Sequence, residues 1–515
     1  MERFHSKCFS IGLLLALACL ALMLSRNIKD PWIINNDYNG VVWSQAAHNF
    51  LRAGIVKTRA VPAAFYAGPL PIPSDGYYVH HPSFLPLVIT ALFFFLGEKE
   101  WVARILPIAC SLLSVILLWL MMRKSWGRRA AAFSAWIFAI TPMELHYGSM
   151  VNFEPCTLMW ILAAILNVQY WQQTNRQGYW MGSIICFVLA MWMSWLGCFF
   201  VFAFSLWFFF GKRDQRLAIV LLLCAFVSIL VFLLQVTAVE DSAWTDMLEA
   251  SYFRIGIHDA LFTWQTWFHQ MYAFAFTLIS PIAWLLALLG AIGLYRKKAS
   301  LPRLENLYGS IALIFLVNLF YVLAFRNASF IHGYASFYFL APVAMLGGIG
   351  VDLLLQGICS KPTNLRWTVG IFVVLGIFIE LGRFGYVESR KLPEQLYVLD
   401  GTTPEPRMLI PALGKIISQS FSEDTEILCN FQSDYIVFLE YYSQKTFLCN
   451  LTSYGDWSSV AFSHEKPRGG VIWLDGPGAD ELLANLSQES QQLIHVEGLR
   501  FCLWKANRHW ISGKS

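Results

Sequence analysis

Apolar runs long enough to cross a lipid bilayer recur from Phe9 to beyond Tyr386, and this feature restricts the fold more than any other. A spanning helix needs ~20 apolar residues, and its backbone polar groups must be satisfied inside the segment because lipid offers no partner. That stretch predicts a multi-pass α-helical membrane protein. Composition agrees, since 57% of the 515 residues are hydrophobic and 14% are charged, against about a quarter charged in soluble domains.

Net charge is only +4, and the cations sit in short clusters between apolar runs. No extended basic surface exists, which argues against a nucleic-acid partner. The clusters report topology instead, because Lys and Arg are retained on the cytoplasmic side. Four fixed points follow: Arg123, Lys124, Arg128 and Arg129; Lys212, Arg213 and Arg216; Arg296, Lys297, Lys298 and Arg303; and Lys361 with Arg366. An even number of crossings must separate neighbouring clusters. The run from Met181 to Phe210 would be about 45 Å long as one helix, so two crossings turning near Ser194 to Gly197 are expected. The pairs Leu217–Val236 with Met271–Gly293, and Leu307–Ala324 with Ala335–Leu355, then go out and back. Trp367 to about Tyr386 is the last crossing, which puts the tail outside. The first run, Phe9 to Leu24, lacks a convincing cleavage site and reads as a retained helix. Phe84–Leu96 is too short to span and reads as an interfacial or dipping helix inside an external loop of residues 27–100. The tally is about eleven crossings within residues 1–386.

From residue 387 to 515 charged helical stretches alternate with β-type runs, such as Thr425–Phe431, Lys445–Leu451, Gly470–Leu474 and Leu499–Trp504. This predicts a small soluble α/β domain, placed outside the cytoplasm by the topology. Eight of the eleven cysteines precede residue 400, mostly within apolar runs, and show no metal-ligand spacing. Cys429, Cys449 and Cys502 leave room for one disulfide in the tail.

Polar segments crowd the same outer rim: Asn35–Gly40, Tyr78–Ser83, His146–Pro155 and Phe325–Tyr334. Acids and cations at a membrane edge suit a reaction on a lipid headgroup. A hydroxyl attacking the anomeric carbon of a lipid-phosphate sugar needs a carboxylate to take its proton, and the departing phosphate needs fixed positive charge. Asp37 and Glu154 also leave open a two-carboxylate glycoside hydrolase.

At these residues the chain resembles the membrane-embedded GT-C glycosyltransferases, in particular the group that includes protein O-mannosyltransferases and aminoarabinose transferases acting on lipid A. Asp37 matches the acid after the first helix, and His80-His81-Pro82 matches a Lys/His-Pro-Pro segment. Trp101-Val-Ala-Arg104-Ile-Leu-Pro107 resembles an aromatic-x-Ala-Arg-Leu-Pro stretch. The Trp126–Ala131 basic loop, Thr141-Pro142 and an outer acid, Glu154, follow in order. The likeness is close over residues 9 to 175. Ser83 replaces the second proline, Glu154 the usual aspartate, and histidine the usual lysine.

The resemblance implies Asp37 as general base in a single inverting displacement, where local chemistry alone would read a helix cap or an Asx turn. Glu154 is expected to organise substrate, or simply to stabilise the helix after Pro155. His80 and His81 suit contact with phosphate or sugar, or, with an acid, a divalent metal; no other cofactor is implied. For the leaving phosphate the candidates are Arg254 and His258, and Arg326, His332 and Tyr334, with Arg favoured for its planar fork. The expected partners are a polyprenyl-phosphate sugar, a lipid, glycan or protein acceptor, and membrane lipid, at the plasma membrane. Rival readings are a transporter or lipid flippase, and a non-catalytic scaffold on the same fold.

Overall fold

The computed structural model describes residues 2–32, 37–211, 214–257, 259–297, 302–358, 364–391, 408–431, 436–449, 451, 468–486 and 491–505. Helices follow the apolar runs. The chain begins with α1 (Glu2–Leu24), α2 (Tyr38–Ala53), α3 (Phe84–Leu96), α4 (Glu100–Ser125), α5 (Arg128–Ile140), α6 (Pro142–Tyr147) and α7 (Phe153–Thr174). It continues through α8 (Gln177–Met193), α9 (Trp195–Phe210), α10 (Gln215–Thr237), α11 (Ala243–Ile255), α12 (Trp264–Thr277) and α13 (Pro281–Lys297). Then come α14 (Pro302–Ala324), α15 (Arg326–Ile331), α16 (Leu340–Ile358) and α17 (Asn364–Lys391).

Among the described residues five helices are long and apolar enough to cross a membrane: Glu100–Ser125, Gln215–Thr237, Leu304–Ala324, Gly333–Ile358 and Thr368–Arg390. Phe84–Leu96, Gln177–Met193 and Trp195–Phe210 are shorter apolar helices. The break expected near Ser194 is present. Ser194 is extended (φ −156°, ψ 148°), and its hydroxyl accepts from the Leu196 N–H at 3.2 Å to start α9.

Two expectations are corrected. Met271–Gly293 is not one helix: α12 and α13 meet at 84°. Pro281 opens α13 and brings no N–H to continue α12, while the freed Leu278 carbonyl accepts from Met143 N–H at 2.9 Å. The stretch between the predicted crossings Leu217–Val236 and Met271–Gly293, expected as an external loop, is largely helical, holding α11 and the start of α12. Short aromatic-rich amphipathic segments of this kind have no spanning signature, which is why the apolar-run pattern passed over them.

The contacts divide the chain into two compact units, Met1–Ile28 with Val79–Leu85 and Arg104–Pro393, and Lys29–Tyr78 with Pro86–Ala103 and Glu394–Ser515. In the first unit α16 packs between α5 and α13, and small residues permit that approach. A Cβ on Gly348 would meet Ser134 Oγ at 2.1 Å and the Ala130 carbonyl at 2.5 Å; one on Gly350 would meet the Leu286 carbonyl at 2.1 Å. Apolar contact between helices gains little when lipid is the alternative, so such close backbone packing carries the association.

The second unit holds the expected tail sheet. After α18 (Leu409–Ser420) come β1 (Glu426–Cys429), α19 (Ile436–Ser443), β2 (Phe447–Leu448), β3 (Arg468–Trp473), α20 (Ala479–Asn485), β4 (Gln491–Val496) and β5 (Leu499–Lys505). The strand order is β2-β1-β3-β5-β4, parallel on the β2 side and antiparallel on the β4 side. Buried Leu428, Ile472, Leu482, Cys502 and Trp504 form its core. Four of the strands were predicted; β4 was not. Half of its residues are exposed and it lies at the sheet edge, so it lacks the apolar alternation that marks a half-buried strand.

The residues 29–53 belong to this unit. Trp32 N–H donates to Tyr442 Oη at 2.7 Å, that hydroxyl donates to Glu100 at 2.9 Å, and Tyr38 meets Phe438 edge-on at 6.4 Å. Gln45 and Gln444 exchange amide hydrogen bonds at 3.4 and 3.1 Å.

Candidate active site

In the first unit, the segment before α3 carries His80 and His81. The indole N–H of Trp195, the first residue of α9, donates to the His80 carbonyl at 2.7 Å. The His81 ring stacks on Phe153, centroids 4.8 Å apart at 22°. Phe153 begins α7 and Glu154 follows it, so Glu154 lies in the first turn, where the helix dipole favours an anion. One of its carboxylate oxygens, Oε2, is buried with no hydrogen-bond partner among the described residues. Tyr147, Tyr321 and Tyr338 all lie within the electrostatic reach of that carboxylate.

A second layer of rings continues from Tyr147. His146 meets it edge-on at 4.5 Å, Tyr147 meets Tyr334 edge-on at 5.9 Å, and Tyr334 stacks on His332 at 4.7 Å and 15°. Gly333 sits under this layer, and a Cβ there would lie 2.7 Å from Tyr147 Oη.

Arg254, in the last turn of α11, is half-buried, and its charge bears on His80, His81, His332 and Tyr321. Burial holds the three imidazoles below the usual histidine range, and Arg254 pushes them the same way, to about 4 for His332. Asp246 opposes the shift at His80. Burial and Arg254 both disfavour the protonated form of the three rings. Among the described residues the Arg254 guanidinium makes no hydrogen bond or ion pair.

Arg326 is engaged differently. Its Nε donates to the Ile255 carbonyl at 3.2 Å and its guanidinium lies 4.9 Å from the centre of the Trp264 ring. Next to it, Asn327 donates to the Phe253 and Asp259 carbonyls at 2.7 and 3.1 Å and accepts from Leu261 N–H at 3.0 Å. Together they brace the end of α11, which positions Arg254. His258, the other candidate in this stretch, lies outside the described residues.

Asp37 belongs to the second unit. It precedes the first turn of α2 and is 7% exposed, yet its side chain caps no N–H of that helix. The helix-cap explanation for Asp37 is therefore not what the structure shows.

Thus the structure brings together His80, His81, Glu154, Arg254, His332 and Tyr334 within the first unit, with Arg326 one step back. Sequence reasoning missed Trp195, Tyr147, Tyr321 and Tyr338. A tyrosine inside an apolar run was the available signal for Tyr321 and Tyr338; Trp195 had none beyond its place at a helix start. For the divalent-metal alternative, the described residues contain no group of three or more His, Cys, Asp or Glu side chains able to hold an ion.

A family model for dolichyl-phosphate-mannose-protein mannosyltransferase matches residues 80–237, beginning at His80. No curated protein matches the chain. Among solved structures, ArnT from Cupriavidus metallidurans in the apo state superposes with a TM-score of 0.60 at 11% identity, covering 97% of this chain and 98% of that one. The oligosaccharyltransferase AglB from Archaeoglobus fulgidus, in complex with an inhibitory peptide and a dolichol-phosphate, gives 0.57 at 12% identity, covering 97% and 74%. The chain has the GT-C fold. A third GT-C structure, the arabinofuranosyltransferase AftD from Mycobacteria, matches with a TM-score of 0.54 at 10% identity over 98% of this chain and 40% of that one. The GT-C likeness thus extends over nearly the whole chain, including residues beyond the family-model match.

Proposed function

We propose that this chain is an inverting glycosyltransferase. It moves a sugar, hexose or pentose, from a polyprenyl-phosphate donor to a lipid, glycan or protein acceptor on the outer side of the plasma membrane, from a body of about eleven crossings. The observation that carries this reading is Arg254, whose charge bears on three histidines that burial disfavours as cations, on a GT-C fold. Solved neighbours with the same fold hold dolichol-phosphate and undecaprenyl phosphate.

In this reading Asp37 takes the proton from the acceptor hydroxyl. The hydroxyl oxygen bonds to the anomeric carbon while the bond from that carbon to the phosphate oxygen breaks, and the polyprenyl phosphate leaves with the electron pair. Arg254 meets the charge that develops on the phosphate, with His80, His81 and His332 as hydrogen-bonding groups. Glu154, Tyr147 and Tyr334 shape the sugar side. The soluble tail domain serves acceptor choice.

The test is equilibrium binding of a radiolabelled polyprenyl phosphate to the purified protein in lipid nanodiscs. Arg254→Ala should weaken binding by roughly 10- to 100-fold, the worth of a hydrogen bond to a charged group, while Arg326→Ala lowers the folded fraction with little change in the affinity of what remains. Wild-type affinity in a folded Arg254→Ala protein would contradict the reading.

A further inference from the structure

Away from the rim cluster, a small cavity lies between α7, α9 and α14, lined by Gln169, Gln172, Phe204, Trp207, Asn306 and Ser310. Its interior space is about 10 Å³, room for about one water molecule. Its lining is mostly apolar, but the side chains of Gln169, Gln172, Asn306 and Ser310 also reach it. Gln169 is only 5% exposed, and both its amide nitrogen and its amide oxygen are buried without a hydrogen-bond partner among the described residues. Asn306 donates to Gln172 at 2.8 Å, but its own Oδ1 is likewise buried and without a partner. The Ser310 hydroxyl donates to the Asn306 carbonyl at 2.9 Å, leaving its lone pairs free to accept.

An amide that neither donates nor accepts inside an apolar bundle is costly, and a space for one water beside several polar partners is hydrated whereas a purely apolar one stays dry. Every group presented to the cavity is neutral, so an ion is not matched, and both donors and acceptors are offered. We infer that this cavity is a water-binding site in which a bound water accepts from Gln169 and donates to Asn306, bridging α7 to α14. The two helices it joins carry rim residues elsewhere along their length. Gln169 is fifteen residues, ~22 Å of helix, from Glu154 on α7, and α14 carries Tyr321. The bridge is a positioning device for the helices, and it stands or falls independently of the glycosyltransferase reading.

A structure in lipid nanodiscs, at a resolution that shows ordered solvent, tests the site directly, alongside thermal melting of Gln169→Leu, Asn306→Leu and the double variant. The expected result is discrete solvent density within hydrogen-bond distance of Gln169 and Asn306. Each single variant should melt roughly 1–2 °C lower, and the double less than the sum, because both lose one shared water. A cavity without solvent density, or a Gln169→Leu protein that melts higher than wild type as expected for removal of an orphaned amide from a dry core, would overturn the inference.

Discussion

Asp37 and Arg254 occupy opposite ends of helices in two different compact units: the acid precedes the first turn of α2, and the cation lies in the last turn of α11. Helix dipoles favour both placements, so position alone would not separate either residue from an ordinary surface charge. Their surroundings do. Asp37 is buried but caps nothing with its side chain, and Arg254 faces three imidazoles while Arg326, nearby, spends its guanidinium on a carbonyl and an indole ring. The two residues thus sit in different units and in different local surroundings. The two proposed roles, proton removal and phosphate holding, are therefore separable by mutation.

The largest effect expected from the first unit is in transfer rate. Arg254→Ala should lower kcat by about 100- to 1000-fold, the usual cost of removing one preorganised charge-stabilising donor, while Arg326→Ala should lose less and should track its melting temperature. If Arg326→Ala proves the more damaging in rate with unchanged stability, the division between holder and brace is wrong. Next in size is Gly333→Ala, whose methyl group is driven against Tyr147 Oη. Overpacking of this kind costs about 1–3 kcal/mol, readable as a lower melting temperature together with weaker donor binding.

The pH response comes third. His332 has a folded value of about 4, below its unfolded one, so between that value and the ordinary histidine range the unfolded chain binds more protons than the folded one. Stability must then fall as pH drops through that window, by at most about 1.4 kcal/mol per pH unit for each such histidine. His332→Phe should flatten the slope of melting temperature against pH; an unchanged slope would mean the imidazole is solvated. In the second unit, Glu440 has the opposite sign. Burial raises it to about 8, so the folded chain keeps a proton the unfolded one has lost, and stability falls as pH rises through the range below that value. The smallest effect is expected for Gln45→Leu, which breaks the amide exchange with Gln444 for about 1 kcal/mol and leaves polyprenyl-phosphate binding unchanged.

Much of this was legible in the sequence, for identifiable reasons. Apolar length located the five helices long enough to cross a membrane among the described residues, because lipid enforces that length. The Ser194 break could be read because a single helix there would have been too long for a bilayer. The bend at Pro281 was hidden, since both halves are apolar and only the proline marked it. At the rim, His80, His81, Glu154 and His332 stood out as polar residues beside apolar runs. Their grouping around Arg254 could not be read, because it depends on how α7, α11 and the stretch after α14 pack. Tyr321 and Tyr338 were masked by the apolar helices that carry them. The sequence alone left helix cap and Asx turn open for Asp37, and the structure removes only the helix cap.

The most direct test of the account is transfer of radiolabelled sugar from a panel of polyprenyl-phosphate donors by the purified protein in lipid, with membrane extract as acceptor source, comparing wild type with Asp37→Asn. Wild type should transfer sugar from at least one donor, and a folded Asp37→Asn protein that still binds donor should not. Donor binding without transfer by wild type, or undiminished transfer by Asp37→Asn, would contradict the account.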